Sequence, residues 1–404
     1  MSSPTTHSTR PVFSRPAILR LVRDLLAVEL GRSRGASAAT LGASNWDEST
    51  SFGEHGLDLD SLERLDASAA LNEFFHLHEH GAEDYLLTLP RLGDWCDLVA
   101  QSLATGGKHL TFRTSGSTGT AKRCTHAVAD LAAEVDGWTE ILGPVGRIVS
   151  LVPSHHIYGT LFTAMLPDRL NVDVLPAHTN AAALIRAEPG TLVVATPTLW
   201  SHIARVCPAL PTGLTGVSST APMSPALADQ LTAQGLGRLV EIYGASETGG
   251  VGYRTAPADP FVLLDRWQRL DDGTIARDGV DGPVRHRLMD QNSWIDARRF
   301  RVEGRLDGAV QVGGVNVFPA HVRDVLLTHD GVANAAVRIE PVSGRLKAFI
   351  VPRPGAEDGA LAQQVDEWCR QRLRDVERPR RFTVGTELPR DAMGKLADWP
   401  AYAG

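Results

Sequence analysis

Apolar residues recur at helical spacing through the first hundred positions. A first helix is predicted where residues three or four apart share a face: Ile18, Leu21, Val22, Leu25, Leu26 and Leu30. Gly31 is expected to end it. After a polar loop over 33–51, Asp60 or Ser61 can cap a second helix, whose apolar positions are Leu62, Leu65, Ala69 and Leu71 to Phe75. A third amphipathic segment has one apolar face of Trp95, Leu98, Val99 and Leu103.

The pattern changes after the small-residue run 104–107, which predicts a domain boundary. Short apolar runs rich in β-branched residues predict strands at HLTFR (109–113), RIVSLVP (147–153), TLVVATP (191–197) and RLVEIYG (238–244). Helical stretches such as 224–234 lie between some of them. This alternation predicts a layered α/β domain with a largely parallel sheet. From about 304 a smaller α+β unit follows, with strands at 332–340 and 345–352 and a helix at 361–375.

Composition excludes several classes of protein. The chain has 404 residues, 43% hydrophobic and 22% charged, which is ordinary globular usage. A net charge of −7 offers no basic field for nucleic acid. No apolar run approaches the ~20 residues that span a bilayer, and the Ser/Thr/Pro-rich start, 1–15, is interpreted as a disordered lead and not a signal peptide. A cytoplasmic protein is expected. The cysteines Cys96, Cys124, Cys207 and Cys369 form no CxxC pair, which argues against a disulfide framework or a cysteine zinc site.

The densest chemical signal is TFRTSGSTGTAKRCTH, residues 111–126. A predicted strand enters a loop of Ser, Thr and Gly that ends at Lys122. Small residues let backbone N–H groups approach phosphate oxygens, and a lysine adds a point charge. The spacing is not that of the Walker loop. The alternative interpretation is a flexible Gly/Ser turn.

TSGSTGTAK resembles the phosphate loop of AMP-forming adenylating enzymes, a family of acyl-CoA synthetases and aryl-acid ligases. The resemblance covers 108–404 and continues through five more ordered motifs: SHHIYG, SSTAPMSPAL, EIYGASE and, near the end, GRLDGAVQVGGVNVFP and PRDAMGK. It implies an adenylating core over 108–303 and a mobile C-terminal domain over 304–404, turning about Asp307.

The resemblance assigns roles to individual residues of this chain. Nucleotide contacts fall on Thr114, Ser115, Gly116, Ser117, Thr118, Gly119, Lys122, Ser219, Thr220, Ala221, Tyr243, Gly244, Ser246, Asp290 and Arg305. Tyr243 would stack on adenine, Glu247 would hold Mg²⁺, and Lys395 would be the catalytic lysine. His156, Tyr158 and Val217 would line the acyl pocket. His156 would also be catalytic, although a packed or surface histidine is the alternative.

The spacing of Asp290 and Arg305 is that of the family's ribose-binding Asp and hinge Arg; a solvated loop acid is the alternative for Asp290. The chain departs from the family pattern in four places: Ala121 replaces Pro, Ser246 replaces Thr, Leu288-Met289 replace Thr-Gly, and Gln311 replaces Lys. The first three are compatible with nucleotide binding. The last is expected to affect thiol-acceptor use or domain rotation.

The front of the chain resembles an acyl carrier protein over 16–104, on the segment STSFGEHGLDLDSLERLDASAALNEFFHLH. This predicts a helical carrier-like domain with phosphopantetheine on Ser61. The alternative is that Asp60 and Ser61 merely cap a helix.

The function expected from these resemblances is ATP-dependent activation of a carboxylic acid as acyl-AMP, followed by transfer to a thiol. ATP, Mg²⁺ and either CoA or carrier phosphopantetheine are the expected cofactors. Possible partners are an acyl carrier protein and a phosphopantetheinyl transferase. The motif set resembles aryl polyene or xanthomonadin-type pathway ligases, which implies an aromatic acid such as 4-hydroxybenzoate or 4-coumarate. A medium-chain fatty acyl ligase and a non-catalytic nucleotide-binding or carrier-docking scaffold are the alternatives.

Overall fold

The computed structural model of the protein describes residues 12–114, 122–176, 182–305, 308–340, 343–354, 358–389 and 396–399. These residues fall into two compact units. Unit 1 comprises described residues of 12–114, 122–287 and 295–300, and unit 2 comprises those of 288–294 and 301–399. A larger α/β unit and a smaller α+β unit therefore occur in the predicted chain order.

Ten helices are described in unit 1. They are α1 Arg15–Arg34, α2 Ser61–Phe75, α3 Glu83–Leu86, α4 Leu92–Thr105, α5 Val128–Leu142, α6 Ile157–Gly159, α7 Leu166–Leu170, α8 Ala182–Ile185, α9 Pro197–Val206 and α10 Pro225–Ala233. A π-helical turn, Thr160–Met165, joins α6 to α7. Single π turns inside helices are rare, and those that occur are often found at functional sites.

The sequence predicted that the first helix ends at Gly31, and this prediction is wrong. It continues to Arg34 and ends at Gly35, whose φ of 60° is the left-handed conformation typical of a helix C-cap. Gly31 has a different function: a Cβ there would lie 2.6 Å from the carbonyl oxygen of Ala36. The glycine allows the chain that leaves the helix to fold back on its last turns.

The second helix begins as predicted, and Leu71, Phe74 and Phe75 of its predicted apolar face are buried, whereas Leu62, Leu65 and Ala69 are not. Asp60 caps it by accepting from Glu63 N–H at 2.7 Å, and the Glu63 carboxylate accepts from Asp60 N–H. Leu62 and Leu65 are 65% and 49% exposed. The buried side is completed by three smaller residues, so that it consists of Ala67, Ser68, Ala70, Leu71, Phe74 and Phe75. The face is shifted because α2 packs on α1 and on strand β1, His109–Thr114.

The N-terminal helices are integral to unit 1. Ser14 Oγ donates to Asp168 at 2.5 Å, and Arg20 Nε donates to the Thr163 carbonyl at 3.0 Å. The predicted carrier-like domain is therefore not a separate unit of the structure, and the predicted boundary at 104–107 marks only the step from α4 to β1. Residues 12–114 share unit 1 with the strands of the large sheet, through long-range contacts that the local sequence pattern does not reveal.

The strands of unit 1 form one large sheet and two small ones. Beyond β1 they are β2 Lys122–Ala127, β3 Arg147–Ser150, β4 Asp173–Pro176, β5 Thr191–Ala195, β6 Thr215–Ser218, β7 Arg238–Ala245, β8 Gly249–Arg254, β9 Phe261–Leu263, β10 Gln268–Arg269, β11 Thr274–Gly279 and β12 Gly282–Arg287. The sheet order β9-β8-β7-β6-β5-β3-β4 confirms a largely parallel core from β4 to β7, while β8 and β9 are antiparallel. The predicted strand HLTFR lies outside this sheet, in the β1–β2 hairpin.

Strands β13 Asp290–Trp294 and β14 Arg299–Arg305 are neighbours, and β14 begins in unit 1 by pairing with β9. The remaining elements of unit 2 are β15 Val310–Val312, β16 Val315–Val317, α11 Pro319–Leu327, β17 Val332–Ile339, β18 Leu346–Pro352, α12 Asp358–Arg372 and β19 Arg381–Val384. Strands β17, β18 and β19 form one sheet, and apolar residues of this sheet, α11 and α12 share one core. The predicted strands and helix of this unit are confirmed.

Among the described helices, none has both the length and the apolar content that a bilayer crossing requires.

Candidate active site

The β1–β2 hairpin holds the ends of the predicted phosphate loop. Thr114 pairs with Lys122 in an antiparallel register, so the two ends of the loop are adjacent. The predicted phosphate contacts Ser115, Gly116, Ser117, Thr118 and Gly119 lie outside the described residues. Glu73 of α2 binds both Arg113 and Arg123 of the hairpin, which ties the base of the loop to the N-terminal helices.

Lys122 and Glu247, two predicted ATP-site residues, form an ion pair. Lys122 Nζ donates to Glu247 Oε1 at 2.7 Å. The lysine side chain is 59% exposed and the carboxylate 33% exposed. This hydrogen bond raises the pKa of Lys122. A positive and a negative group, both within reach of solvent, are thus available for a ligand that carries phosphates and a divalent cation.

The connection between β7 and β8, which contains Ser246 and Glu247, is held by hydrogen bonds to its backbone. The His126 Nε2–H donates to the Ser246 carbonyl at 2.6 Å. His126 is buried, and burial lowers its pKa, so the neutral ring is favoured. At the other end of the connection, Ala245 N–H donates to Thr248 Oγ1 at 3.1 Å. The backbone that bears Glu247 therefore has a defined path.

A buried carboxylate that the sequence did not reveal supports the next strand. Glu134 of α5 accepts from Gly250 N–H at 2.8 Å and from Arg266 at 3.1 Å. Burial raises the pKa of Glu134. Gly244 is needed on the neighbouring strand because a Cβ there would lie 2.2 Å from the Gly249 carbonyl oxygen. A polar residue within an amphipathic helix gives no sequence signal for such a role.

The predicted adenine loop follows β6. Ser219 Oγ donates to the Ile242 carbonyl at 3.2 Å, and Met223 N–H donates to buried Glu241 at 3.0 Å. Both contacts fasten the loop to β7. Thr220 has a φ of 78°, which is unfavourable for a β-branched residue. Backbone strain of this kind persists only where surrounding contacts enforce it, and it concentrates at ligand-binding loops.

Tyr243 lies in an aromatic cluster at the β7 bulge. Its ring centroid is 5.6 Å from that of Phe261 and 5.4 Å from that of Phe300. The bulge falls between Tyr243 and Gly244. A β-bulge redirects side chains next to binding sites, which is compatible with the predicted role of Tyr243 as an aromatic platform.

The turn that presents His156 is held by the N-terminal helix. Asp24 of α1 is buried, and its Oδ2 accepts from Ser154 N–H at 2.6 Å. Thr160 donates through Oγ1 to the Ser154 carbonyl at 2.7 Å, and through its backbone N–H to the His156 carbonyl at 2.7 Å. His156 itself is accessible to solvent. The surrounding protein removes part of its hydration, which lowers its pKa, while the Asp24 charge acts in the opposite direction.

The other two predicted pocket residues are buried. Tyr158 donates its hydroxyl to the Ala195 carbonyl at 3.0 Å, and burial raises its pKa well above the ordinary value. Val217 is fully buried in β6, and its carbonyl accepts from Trp200 Nε1 at 3.1 Å. Because the Tyr158 hydroxyl is bonded to backbone, it is not positioned as an acid or base.

In unit 2, Asp290 begins β13 and Arg305 ends β14. Neighbouring strands joined by a short connection are antiparallel, so these two residues lie at the same end of the pair. This common end gives a structural reason for the spacing of Asp290 and Arg305 along the sequence. Gln311 contacts Asn316 across the β15–β16 hairpin, whose turn residues Gly313 and Gly314 both have positive φ.

Asp307 and Lys395 lie outside the described residues. The segment that carries Lys395 is flanked by anchored backbone: Ala397 N–H donates to the Pro389 carbonyl at 2.9 Å. Lys347 is buried and donates to the Trp399 carbonyl at 2.6 Å.

Comparisons with known proteins identify the family and the fold. A family model described as AMP-binding enzyme matches residues 111–276, and one described as AMP-binding enzyme C-terminal domain matches 321–395. The chain is 41% identical over 385 residues to a 4-coumarate--CoA ligase of Halorhodospira halophila, covering 94% of this chain and 98% of that protein. It is 41% identical over 396 residues to a 4-coumarate--CoA ligase of Rhodobacter capsulatus, covering 95% and 100%. The solved amide bond synthetase McbA from Marinactinospora thermotolerans shares the fold, with a TM-score of 0.59 at 17% identity over 94% of this chain and 92% of that one.

Proposed function

The chain belongs to the AMP-binding enzyme family, and on this basis we propose that it joins a hydroxylated aryl acid, with 4-coumarate as first candidate, to CoA. As an AMP-forming acid–CoA ligase, it activates a carboxylic acid with ATP as acyl-AMP and converts the adenylate into a thioester. Relatives that align over almost their whole length and are named for 4-coumarate support this choice of acid. The match over 94% of the chain also includes most of the N-terminal helices, so we assign these helices to the ligase.

Both half-reactions transfer groups between anionic partners. In the first, a carboxylate oxygen of the acid bonds to the α-phosphorus of ATP, and the bond to pyrophosphate breaks. In the second, the CoA sulfur bonds to the acyl carbon, the thiol proton is lost, and AMP leaves. Neutralising charge and aligning the reactants supply most of the rate in such transfers.

The observation that carries the proposal is the Lys122–Glu247 pair. In our proposal the lysine turns to the phosphates of bound ATP, and the carboxylate turns to a metal ion. Oxygen ligands are those that Mg²⁺ prefers, and a partly exposed carboxylate such as Glu247 fits that ion. Bound Mg²⁺ would neutralise phosphate charge; Glu247 would hold it, and the fixed path of the 245–248 connection would limit where it lies.

We assign the remaining nucleotide contacts as the sequence predicted. Tyr243 would take adenine on its ring, beside Gly244 and the loop of Ser219, Thr220 and Ala221. Ser246 would bond the α-phosphate. Asp290 would bind the ribose, and Arg305, the hinge arginine, would also contact the nucleotide. Lys395 would bridge carboxylate and phosphate oxygens. The anchoring of the adenine loop to β7 and the shared end of β13 and β14 support these assignments.

For the acid, we propose that His156 lies beside the reacting carboxylate and that Tyr158 and Val217 form apolar walls. The Tyr158 hydroxyl is already bonded to Ala195, so it would contribute its ring and not its oxygen. A phenolic substrate hydroxyl then needs another polar partner, because an unpaired buried donor costs about 1–3 kcal/mol.

Pyrophosphate release with a panel of acids tests the proposal. The panel contains 4-coumarate, 4-hydroxybenzoate and octanoate, and CoA-thioester formation is followed with each acid that responds. We expect 4-coumarate to give the highest kcat/KM. Preference for octanoate would support the medium-chain fatty acyl alternative, and no response to any acid, with ATP still bound, would support the non-catalytic scaffold.

The carrier alternative has its own test. Ser61 is exposed at the start of α2, beside exposed Leu62, so a modifying enzyme would find it accessible. The chain is co-expressed with a broad-specificity phosphopantetheinyl transferase and its intact mass is measured, with Ser61→Ala as control. Since we assign these helices to the ligase, we expect no mass gain and free CoA as acceptor. A gain of one phosphopantetheine on the unmodified sequence alone would instead establish loading of the chain itself.

A further inference from the structure

A group of metal-ligand side chains lies at the C-terminal end of α2, in a segment without a role in the ligase chemistry above. His76, His78 and Glu79 each offer one ligand atom, and these three atoms lie within 4.8 Å of one another. The ring centroids of His76 and His78 are 5.6 Å apart, and the ring planes are inclined by 29°. The segment is part of the tract His-Leu-His-Glu-His, a composition typical of metal-binding sequences.

The backbone that carries the three side chains is rigidly defined. His76 caps α2 with a left-handed φ of 54°, and a 3-10 turn over Leu77–His80 follows, closed by Gly81 at φ 64°. Leu77 is fully buried and anchors the turn, while His78 and Glu79 point outward. Ligands on a fixed turn lose little conformational freedom when they bind an ion.

A hydrogen bond sets the protonation pattern of His78. Asn72 Oδ1 accepts from the His78 backbone N–H at 2.8 Å and lies 3.1 Å from His78 Nδ1. Because this oxygen can only accept, Nδ1 must carry the proton, and Nε2 is left as the basic nitrogen. Histidine ligands of metals are commonly held in one tautomer by such a bond from the other ring nitrogen.

His76 has a comparable support. Its Nε2 lies 2.8 Å from Thr111 Oγ1, which in turn lies 2.7 Å from Thr125 Oγ1. Its Nδ1 lies 3.1 Å from Glu79 Oε1. Bonds of 2.0–2.1 Å at a tetrahedral zinc ion separate neighbouring ligands by about 3.3 Å. His76 Nδ1 and Glu79 Oε1 are therefore already separated by nearly the distance that two ligands of one zinc ion require.

We propose that His76, His78 and Glu79 form a site for a divalent transition-metal ion, with Zn²⁺ as the probe ion. Two imidazoles and one carboxylate suit Zn²⁺ and leave a fourth position for water. The hard ion Mg²⁺, which the ligase reaction uses, prefers oxygen ligands. The site joins the end of α2 to the β1–β2 hairpin through Thr111, so an ion there would brace the strands that hold the phosphate loop.

Calorimetric titration of tag-free protein with Zn²⁺ tests the proposal, in excess Mg²⁺ to occupy oxygen sites. The four cysteines are buried and contribute no competing surface thiol. We expect one ion per chain and a higher melting temperature with Zn²⁺. His78→Ala should weaken binding at least tenfold. His80→Ala, from the same tract but outside the three-ligand group, should leave the affinity within twofold. Co²⁺ substitution should give the visible absorption of a four-coordinate ion, lost in His78→Ala.

Two results would overturn the proposal. One is the absence of Zn²⁺ binding above the level of the doubly substituted His76→Ala, His78→Ala protein. The other is an equal loss of affinity in His80→Ala and His78→Ala, which would indicate loose coordination by a histidine-rich tract. If His76→Ala proves unstable because it loses Thr111, Glu79→Gln serves as the second ligand variant and should weaken binding without unfolding the chain.

Discussion

The ammonium nitrogen of Lys122 lies 2.7 Å from Oε1 of Glu247, although the two residues are 125 positions apart. One begins β2 after the predicted phosphate loop, and the other lies in the β7–β8 connection. The two opposite charges form an ion pair whose members are both partly exposed, so each can exchange its partner for a ligand group of opposite charge. In the proposed function, ATP would supply phosphates for the lysine, and its metal ion would supply a partner for the carboxylate.

Replacing Glu247 by Gln should therefore damage adenylation more than folding. We expect pyrophosphate release to fall about 100-fold, which is about 2.7 kcal/mol in the barrier, and the Mg²⁺ concentration for half-maximal rate to rise. The melting temperature should change little, because exposed ion pairs contribute at most about 1 kcal/mol. Steady-state kinetics over a Mg²⁺ series measure this. Glu140→Gln, an exposed substitution on α5, is the matched control, and an unaltered Mg²⁺ requirement in Glu247→Gln would refute the assignment.

The sequence predicted this pair only as two separate motif residues. Both positions came from ordered motifs, TSGSTGTAK and EIYGASE, and the same motifs named Tyr243, Gly244 and Ser246. Local patterns also predicted the strands and helix of unit 2, because a buried strand or amphipathic helix shows itself in its own spacing. Supporting residues such as His126 and Glu134 were missed. Their roles depend on long-range contacts to Ser246 and Gly250, which no local pattern records.

Lys395 should be needed for the first half-reaction and much less for the second. The predicted role is to bridge substrate carboxylate and phosphate while charge develops, a contribution that disappears once the adenylate has formed. Lys395→Ala should reduce pyrophosphate release by at least two powers of ten, each worth about 1.36 kcal/mol. Thioester formation from added acyl-AMP should fall less than tenfold. Lys108→Ala removes a lysine that is exposed in unit 1 and should leave both rates unchanged. Similar losses in the two half-reactions of Lys395→Ala would contradict the assignment.

Glu63 should make stability depend on pH in the acid range. The hydrogen bond from Arg34 is the main cause that lowers the pKa of Glu63 from 4.5 to about 2. A carboxyl whose pKa is lower in the folded state contributes its full stability above the unfolded value of 4.5. That contribution is lost as pH falls from 4.5 towards about 2.

Glu63→Gln should therefore lower the free energy of unfolding by about 1.5–3 kcal/mol at neutral pH, and the difference from the unmodified protein should shrink below about pH 4.5. Urea unfolding at several pH values down to about pH 3 measures it. Glu54→Gln, at an exposed position before α2, is the control and should show no such trend. A difference that stays constant with pH would mean that Glu63 acts only through its neutral capping contact.

The N-terminal helices show most clearly where local interpretation fails. The segment 49–78 has the pattern of a small helical carrier, and α2 begins where that pattern predicts. What the pattern does not contain is the contact set of α1: Ser14 with Asp168, Arg20 with Thr163, and Asp24 with Ser154. Polar residues on or just before an amphipathic helix are usually interpreted as solvated positions. Here Asp24 contacts the turn that presents His156, Arg20 the π-helical segment, and the N-cap residue Ser14 contacts α7.

Asp24 should consequently act as a positioning residue for the acid-binding turn. Asp24→Asn conserves shape but removes the charge that accepts from Ser154 at 2.6 Å and that favours protonated His156. We expect the KM for the acid to rise about fivefold to tenfold, the cost of about 1–1.4 kcal/mol of binding, while the KM for ATP is unchanged. The pKa of His156, followed by its imidazole NMR resonances, should fall further, because the neighbouring negative charge is gone.

A purely structural role of Asp24 would raise both KM values or lower the melting temperature without moving the pKa of His156. Asp66→Asn, on the exposed side of α2, should alter none of these quantities, and an unshifted His156 titration in Asp24→Asn would show that the two residues are not coupled.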